Sequence, residues 1–216
     1  SNMDDSGVSY GDALRVAQKK GYAEADPTND VAGYDAARKL AILASIGFHA
    51  NVTFDDVLVE GIEKISQNDV QYASEMGYTI KLLAVAIRQE NGIALNVYPA
   101  FVPRSHPLAS VKGSYNAIYG TGNIVFEVMF YGKGAGSLPT ASAVMGDVIS
   151  TAKHILNHST GTGMMLTETK RIPFYSSLKL ENSYYFRLIV DDVTGVLSQI
   201  ASAYADNDIS IKEVVQ

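Results

Sequence analysis

The 216-residue sequence contains no cysteine. That absence excludes disulfides, thiolate zinc sites and cysteine nucleophiles, and it fits a reducing compartment, so the cytoplasm is the expected location. Long apolar runs are lacking too. None approaches the roughly 20 residues that a helix needs to cross a bilayer, and no basic-then-apolar signal pattern opens the chain. No membrane association is expected. Positive charge is scarce, with 17 Lys and Arg against 23 Asp and Glu and a formal net charge of −6. Without a dense basic run interleaved with aromatics, binding to a phosphate backbone has no footing, and no nucleic-acid partner is expected. Several catalytic motifs are missing as well. There is no G-x-S-x-G for a serine hydrolase, no H-E-x-x-H, no G-x-G-x-x-G and no glycine-rich loop ending in Gly-Lys-Ser/Thr.

What remains is a folded chain, 47% hydrophobic and 19% charged, long enough to build a core without covalent staples. The opening Ser1-Asn2 pair reads as a remnant of tag cleavage. "YGDALRVAQKKG" puts Ala13, Leu14 and Ala17 on one face and ends in basic residues before Gly21, which predicts a short helix with a glycine stop. Asp26-Pro27 then makes a turn, and Asn29 or Asp30 is placed to cap a helix. Its apolar positions, Val31, Tyr34, Ala37/Arg38, Ala41, Leu43/Ala44 and Phe48, keep helical spacing to about His49. Ser66 and Gly77 bracket another short helix. Two apolar runs joined by Glu90-Asn91-Gly92 predict a hairpin, and a second antiparallel pair follows across Thr121-Gly122-Asn123. A long helix starts at about Pro139, with Ser137 as its cap. Residues 158–173 have no sustained period and read as a linker, after which strand, helix and strand make a small unit from about Phe174 to Gln216.

The stretch "GYAEADPTNDVAGYDAARK" is the chemically unusual one, with Glu24, Asp26, Asp30 and Asp35 ahead of Lys39. Asp35 and Lys39 stand four apart, one helical turn, so taken alone they are an exposed ion pair worth about 0.2–0.5 kcal/mol. The alternative is a site in which several carboxylates hold a substrate ammonium while a lysine handles a proton at a nearby hydroxyl or carbonyl oxygen. In "GKGAG" the glycines of Gly134-Ala135-Gly136 are either a strand-to-helix turn or a place where a flat ligand approaches the backbone at a helix N-terminus. His154 and His158 share the spacing of two metal ligands, but with no acidic partner in the last two turns no metal is expected there.

The pattern Ala17-x3-Gly21-Tyr22-Ala23-x2-Asp26-Pro27-x2-Asp30-Val31-x-Gly33-x-Asp35-x3-Lys39 resembles the signature of homoserine dehydrogenase at each defined position. "PAFVPRSHPLASVKGSYNAI" and "GAGSLPTASAVMGDV" resemble further segments of that family, so the likeness covers about residues 3–156. The resemblance implies an α+β fold with an antiparallel or mixed open sheet covered by helices, like the C-terminal part of glyceraldehyde-3-phosphate dehydrogenase. It makes residues 3–157 the substrate-binding and dimerisation domain, acting as a homodimer, of an enzyme whose nucleotide-binding Rossmann part is not in this sequence. The reaction it implies is interconversion of L-homoserine and L-aspartate 4-semialdehyde with NADP or NAD, on the route to threonine, methionine and isoleucine. Lys39 then exchanges the proton at the substrate hydroxyl; Glu24 and Asp35 hold the amino group, with Asp30 as a third acidic partner; and Gly134 and Gly136 meet the nicotinamide end of the cofactor. Lysine is a base only when neutral, and neighbouring carboxylates favour its charged form, so burial or a second cation has to counter them. By the same implication this chain alone is inactive.

"FRLIVDDVTGVLSQIASAYADNDISIKEVVQ" resembles the start of an ACT domain, a partial ferredoxin-like βαβ unit at 174–216. In that family the turn around Asp192 to Gly195 is where a regulatory amino acid, here threonine, binds. A non-catalytic dimerisation and amino-acid-sensing module is therefore the alternative function.

Overall fold

The computed structural model describes residues 10–19, 25–159, 172–174 and 182–215. The chain divides into two compact units that part between Glu181 and Asn182. The first opens with helix α1, Tyr10–Lys19, whose Asp12 and Lys19 complement the helix dipole at either end. Gly21, its expected stop, lies outside the described residues.

The apolar pattern from Val31 to His49 predicts one helix; the structure makes two. A single turn, α2, covers Thr28–Val31, and α3 runs Tyr34–Phe48. The break is at Gly33, which sits at φ +83. A β-carbon there would approach Val97 Cγ1 to 3.0 Å and Val59 Cγ1 to 3.2 Å, so glycine allows both the turn and the close seat on the sheet. Neither Asn29 nor Asp30 is the cap. Asp26 Oδ1 instead accepts the Thr28 backbone N–H at 3.1 Å and its hydroxyl at 2.6 Å, and the cap position falls on Pro27, ahead of both expected caps.

On α3 the buried stripe is Ala37, Leu40, Ala41 and Ala44, at i, i+3, i+4 and i+7. Tyr34 and Leu43, expected to face inward, are exposed. Three alanines let the helix lie close to the sheet, where its stripe meets Ile93, Leu95 and Val97 in the core. Ile93 and Val97 are the largest fully buried side chains, each worth about 1.5–3 kcal/mol by burial.

That sheet has the order β1-β3-β2. Strand β1 is only Leu58–Val59 and lies parallel to β3, Gly92–Pro103; β2, Tyr78–Gln89, is antiparallel to β3. The sheet is therefore mixed and the architecture α+β. Gln89 pairs with Gly92, so the hairpin turn is Glu90-Asn91 and the glycine opens the strand. Gly92 is required for another reason: it sits at φ +147, and a β-carbon would strike the Pro173 carbonyl. Ile93 donates its N–H to that same carbonyl at 3.0 Å and bridges to Phe174, while Ile172 packs on the core. The described end of the expected linker is thus docked on β3, and Phe174 lies with the first unit.

Between β1 and β2, α4 spans Gln67–Glu75 and begins as expected at Ser66. Ser66 Oγ accepts the Asp69 N–H at 3.3 Å and the Asp69 carboxylate accepts the Ser66 N–H at 2.7 Å, a complete capping box. Gly77 follows at φ +80. The second hairpin joins β4, Tyr115–Gly122, to β5, Phe126–Lys133. Its loop is Asn123-Ile124-Val125, later than expected, because Thr121 and Gly122 pair with Glu127 and Phe126. Helix α5, Ser137–Leu156, has Gly136 rather than Ser137 at its cap position, with no side-chain cap.

In the second unit, helix α6, Val196–Ala205, starts after Gly195 at φ +94. Phe186 meets Tyr204 edge to face at 6.1 Å. The strands expected on either side of α6 are not formed among the described residues. Strands exist only as pairs, and a single β-α-β piece supplies no third strand to lie between its two extended segments.

Candidate active site

The acidic segment is held by backbone contacts at the junction of α2 and α3. The Val31 carbonyl accepts the Ile62 N–H at 2.9 Å, and the Glu60 N–H reaches the Val97 carbonyl at 2.7 Å, so the loop after β1 ties the junction to the central strand. Gly61 makes this possible. A β-carbon there would collide with the Val31 carbonyl and lie 2.7 Å from Ala32 Cα. Nothing in the sequence around "VEGIEK" announces this, because a single glycine carries no partner information.

Asp35 and Lys39 are brought together: Lys39 Nζ lies 2.7 Å from Asp35 Oδ2. Their side chains are 46% and 58% exposed respectively. Asp30 is exposed on α2 and its carboxylate makes no ion pair among the described residues; its main-chain carbonyl accepts the Gly33 N–H at 3.3 Å. Glu24 lies outside the described residues. Asp26 has turned into a structural group: hydrogen bonds from the Thr28 hydroxyl, and then from its N–H, hold the Asp26 carboxyl below its ordinary value of 3.8.

Two further side chains frame this corner. Arg38 Nη1 donates to Asn29 Oδ1 at 3.0 Å, and its guanidinium carbon lies 5.3 Å from the centre of the Phe54 ring. Phe54 in turn meets Tyr34 edge to face at 5.9 Å. In the sequence Arg38 falls within the apolar spacing of the helix and Asn29 at a capping position, so neither is marked there as part of a site.

Gly134 and Gly136 lie apart from this corner in sequence, between β5 and α5. An open cleft of about 510 Å³ is lined there by Ser114, Lys133, Ala135, Gly136, Ser137 and Ser142, among others. Gly134 has a packing reason to be glycine, since a β-carbon would overlap the Asn116 side-chain amide; Gly136 has a conformational one, at φ +121. Leu138 and Pro139 add an apolar side, so the cleft is mixed in character, and with one lysine at an uncapped helix N-terminus it fits a ligand that has a flat apolar part and an electron-rich one. His154 Nδ1 is 3.0 Å from Ser159 Oγ.

A sequence model of the family described as homoserine dehydrogenase matches residues 1–149. Among curated relatives, the homoserine dehydrogenase of Corynebacterium glutamicum is 43% identical over 219 residues, taking in 99% of this chain and 49% of the relative. That of Mycobacterium tuberculosis is 46% identical over 223 residues, with 100% and 50% covered. The solved structure of a homoserine dehydrogenase from Thiobacillus denitrificans matches with a TM-score of 0.88 at 40% identity, over 100% of this chain and 51% of that one. The chain spans about half the length of the curated relatives it matches. With the family pattern matched over most of the chain and the likeness to a solved member running its whole length, this chain belongs to the homoserine dehydrogenase family.

Proposed function

We propose that this chain is the substrate-binding half of an NAD(P)-dependent homoserine dehydrogenase, interconverting L-homoserine and L-aspartate 4-semialdehyde. The observation that carries the proposal is the Asp35–Lys39 pair at 2.7 Å, at the start of a helix anchored on the central strand. Asp30, Asp35 and Glu24 hold the substrate ammonium by charge. In the oxidative direction Lys39 takes the proton of the substrate hydroxyl as the carbon–hydrogen bond breaks and the carbonyl forms; in reverse it returns that proton. The nicotinamide dinucleotide, when bound, supplies the hydride acceptor, and Gly134, Gly136, Lys133 and Ser137 are the residues that would meet it. Exposed Phe126, Phe130 and Tyr131 on the second hairpin suit assembly as a homodimer, and the Asp192–Gly195 turn suits a regulatory amino acid such as threonine in a partial ACT unit.

The test is Lys39→Ala in the full-length enzyme. Turnover falls by about 10²–10⁴-fold while homoserine still binds in calorimetry. Unchanged turnover removes Lys39 from the chemistry.

A further inference from the structure

The family pattern defines Asp30, Gly33, Asp35 and Lys39 but leaves the positions of Asn29 and Arg38 open. The structure joins these two. Arg38 Nη1 donates to Asn29 Oδ1 at 3.0 Å, a bond nine residues long in sequence that crosses the break at Gly33. Asn29 is the immediate neighbour of Asp30, and Arg38 that of Lys39.

The rest of the arrangement explains why the bond is made there. Gly33, at φ +83, has no side chain to fix the angle between α2 and α3, so beyond the backbone bonds from the Gly33 N–H to the Asp30 carbonyl and from the Ala37 N–H to the Gly33 carbonyl, their relation rests on the contacts to either side. On the inner side these are the Gly61 loop and the sheet. On the outer side the described contact is Arg38 with Asn29. A free arginine has many rotamers, and holding it costs entropy. Here it is restrained by the Phe54 ring at 5.3 Å, within cation–π range. Phe54 is itself fixed twice, by Tyr34 at 5.9 Å and by the Thr53–Asp56 capping box, in which Asp56 Oδ2 accepts the Thr53 N–H at 2.8 Å and its hydroxyl at 2.7 Å. A chain of fixed groups therefore runs from Thr53–Asp56 through Phe54 and Arg38 to the residue beside Asp30.

We infer, on the assignment of Asp30, Asp35 and Lys39 made above, that Arg38 and Asn29 form a latch of positioning residues that sets the Asp30-bearing turn against the Asp35–Lys39 pair for recognition of the substrate ammonium. Neither touches the reacting atoms. The latch acts on how well homoserine is gripped and leaves the proton transfer at Lys39 alone.

The experiment uses the full-length enzyme with four variants: Asn29→Ala, Arg38→Met, the double variant, and Lys39→Ala as reference. Methionine keeps the stem packed on Phe54 and removes the donor. Each single latch variant raises the KM for homoserine about three- to tenfold, as expected for one lost hydrogen bond, with kcat and the dinucleotide KM within about twofold of wild type. The double variant is no worse than the more affected single, because both remove the same bond. A purely structural role would lower the melting temperature and leave the KM alone. Wild-type KM in both singles, or additive effects in the double, overturns the latch even when Lys39→Ala is inactive. A normally active Lys39→Ala overturns the assignment beneath it. If Arg38→Met reduces folded yield, Asn29→Ala decides, since Asn29 is exposed and its truncation opens no cavity.

Discussion

At the scale of single residues, the Asp35–Lys39 pair has two incompatible energetic meanings, and one substitution separates them. An exposed i,i+4 pair contributes about 0.2–0.5 kcal/mol to a helix, so as a surface feature Asp35→Asn lowers the melting temperature of the full-length enzyme by no more than about 1 °C and does nothing else. As a ligand of a substrate ammonium, the carboxylate loses a charge-assisted interaction of about 1.5–3 kcal/mol, which is on the order of 10- to 100-fold in kcat/KM for homoserine. We expect the second outcome, read by steady-state kinetics on the full-length enzyme beside a thermal melt; a changed melt with unchanged kcat/KM would return the pair to the surface. The sequence shows this pair because helical spacing is a property of two positions. It does not show what Asp26 does, because whether an aspartate before a Pro-Thr step caps a turn or faces a ligand depends on where the threonine hydroxyl points. Here it points back at the carboxylate.

At the scale of elements, the hairpins, the Ser66 cap and the helices are legible because each is written in local chemistry. The misplacements have long-range causes. Gly92 looks like a turn residue next to Asn91, yet it begins a strand and leaves room for Pro173, a contact across 80 residues that no local pattern contains. Gly33 breaks an apolar period that continues through it, because the sheet needs the helix start to lie against Val59 and Val97. Strand β1, two residues long, is too short for alternation to register. Gly61 makes the sharpest test of how an element positions the site. In Gly61→Ala the new methyl strikes the Val31 carbonyl, so either the loop or the α2–α3 junction shifts. We expect a loss of about 1–3 kcal/mol in denaturant unfolding together with a raised KM for homoserine. Loss of stability at unchanged KM would mean that the loop yields and the junction stays, detaching Gly61 from the site.

At the scale of the whole molecule, the distribution of buried surface is uneven. Around α3 and β3 the core is closed, whereas α5 is exposed along its length, with only Pro139 and His154 half-buried, although it carries Leu138, Val144, Met145, Val148, Ile149, Ile155 and Leu156. A helix of 20 residues owes most of its stability in a protein to the face it packs, and α5 packs almost none within the described residues. The glycine turn that precedes it is also the proposed contact with the cofactor, so on that proposal the order of α5 and the completeness of the cleft depend on the same covering surface, one that the described residues do not supply. This coupling predicts two linked results for the chain as it stands. Its α5 amides exchange with deuterium well ahead of those in β2 and β3, and no reduction of NAD or NADP accompanies addition of homoserine. In the full-length enzyme, α5 protection and turnover appear together. A chain that turns over homoserine alone, or an α5 equally protected in both, would show that the cleft beside Gly136 is already complete and that the other half of the enzyme does not cover this helix.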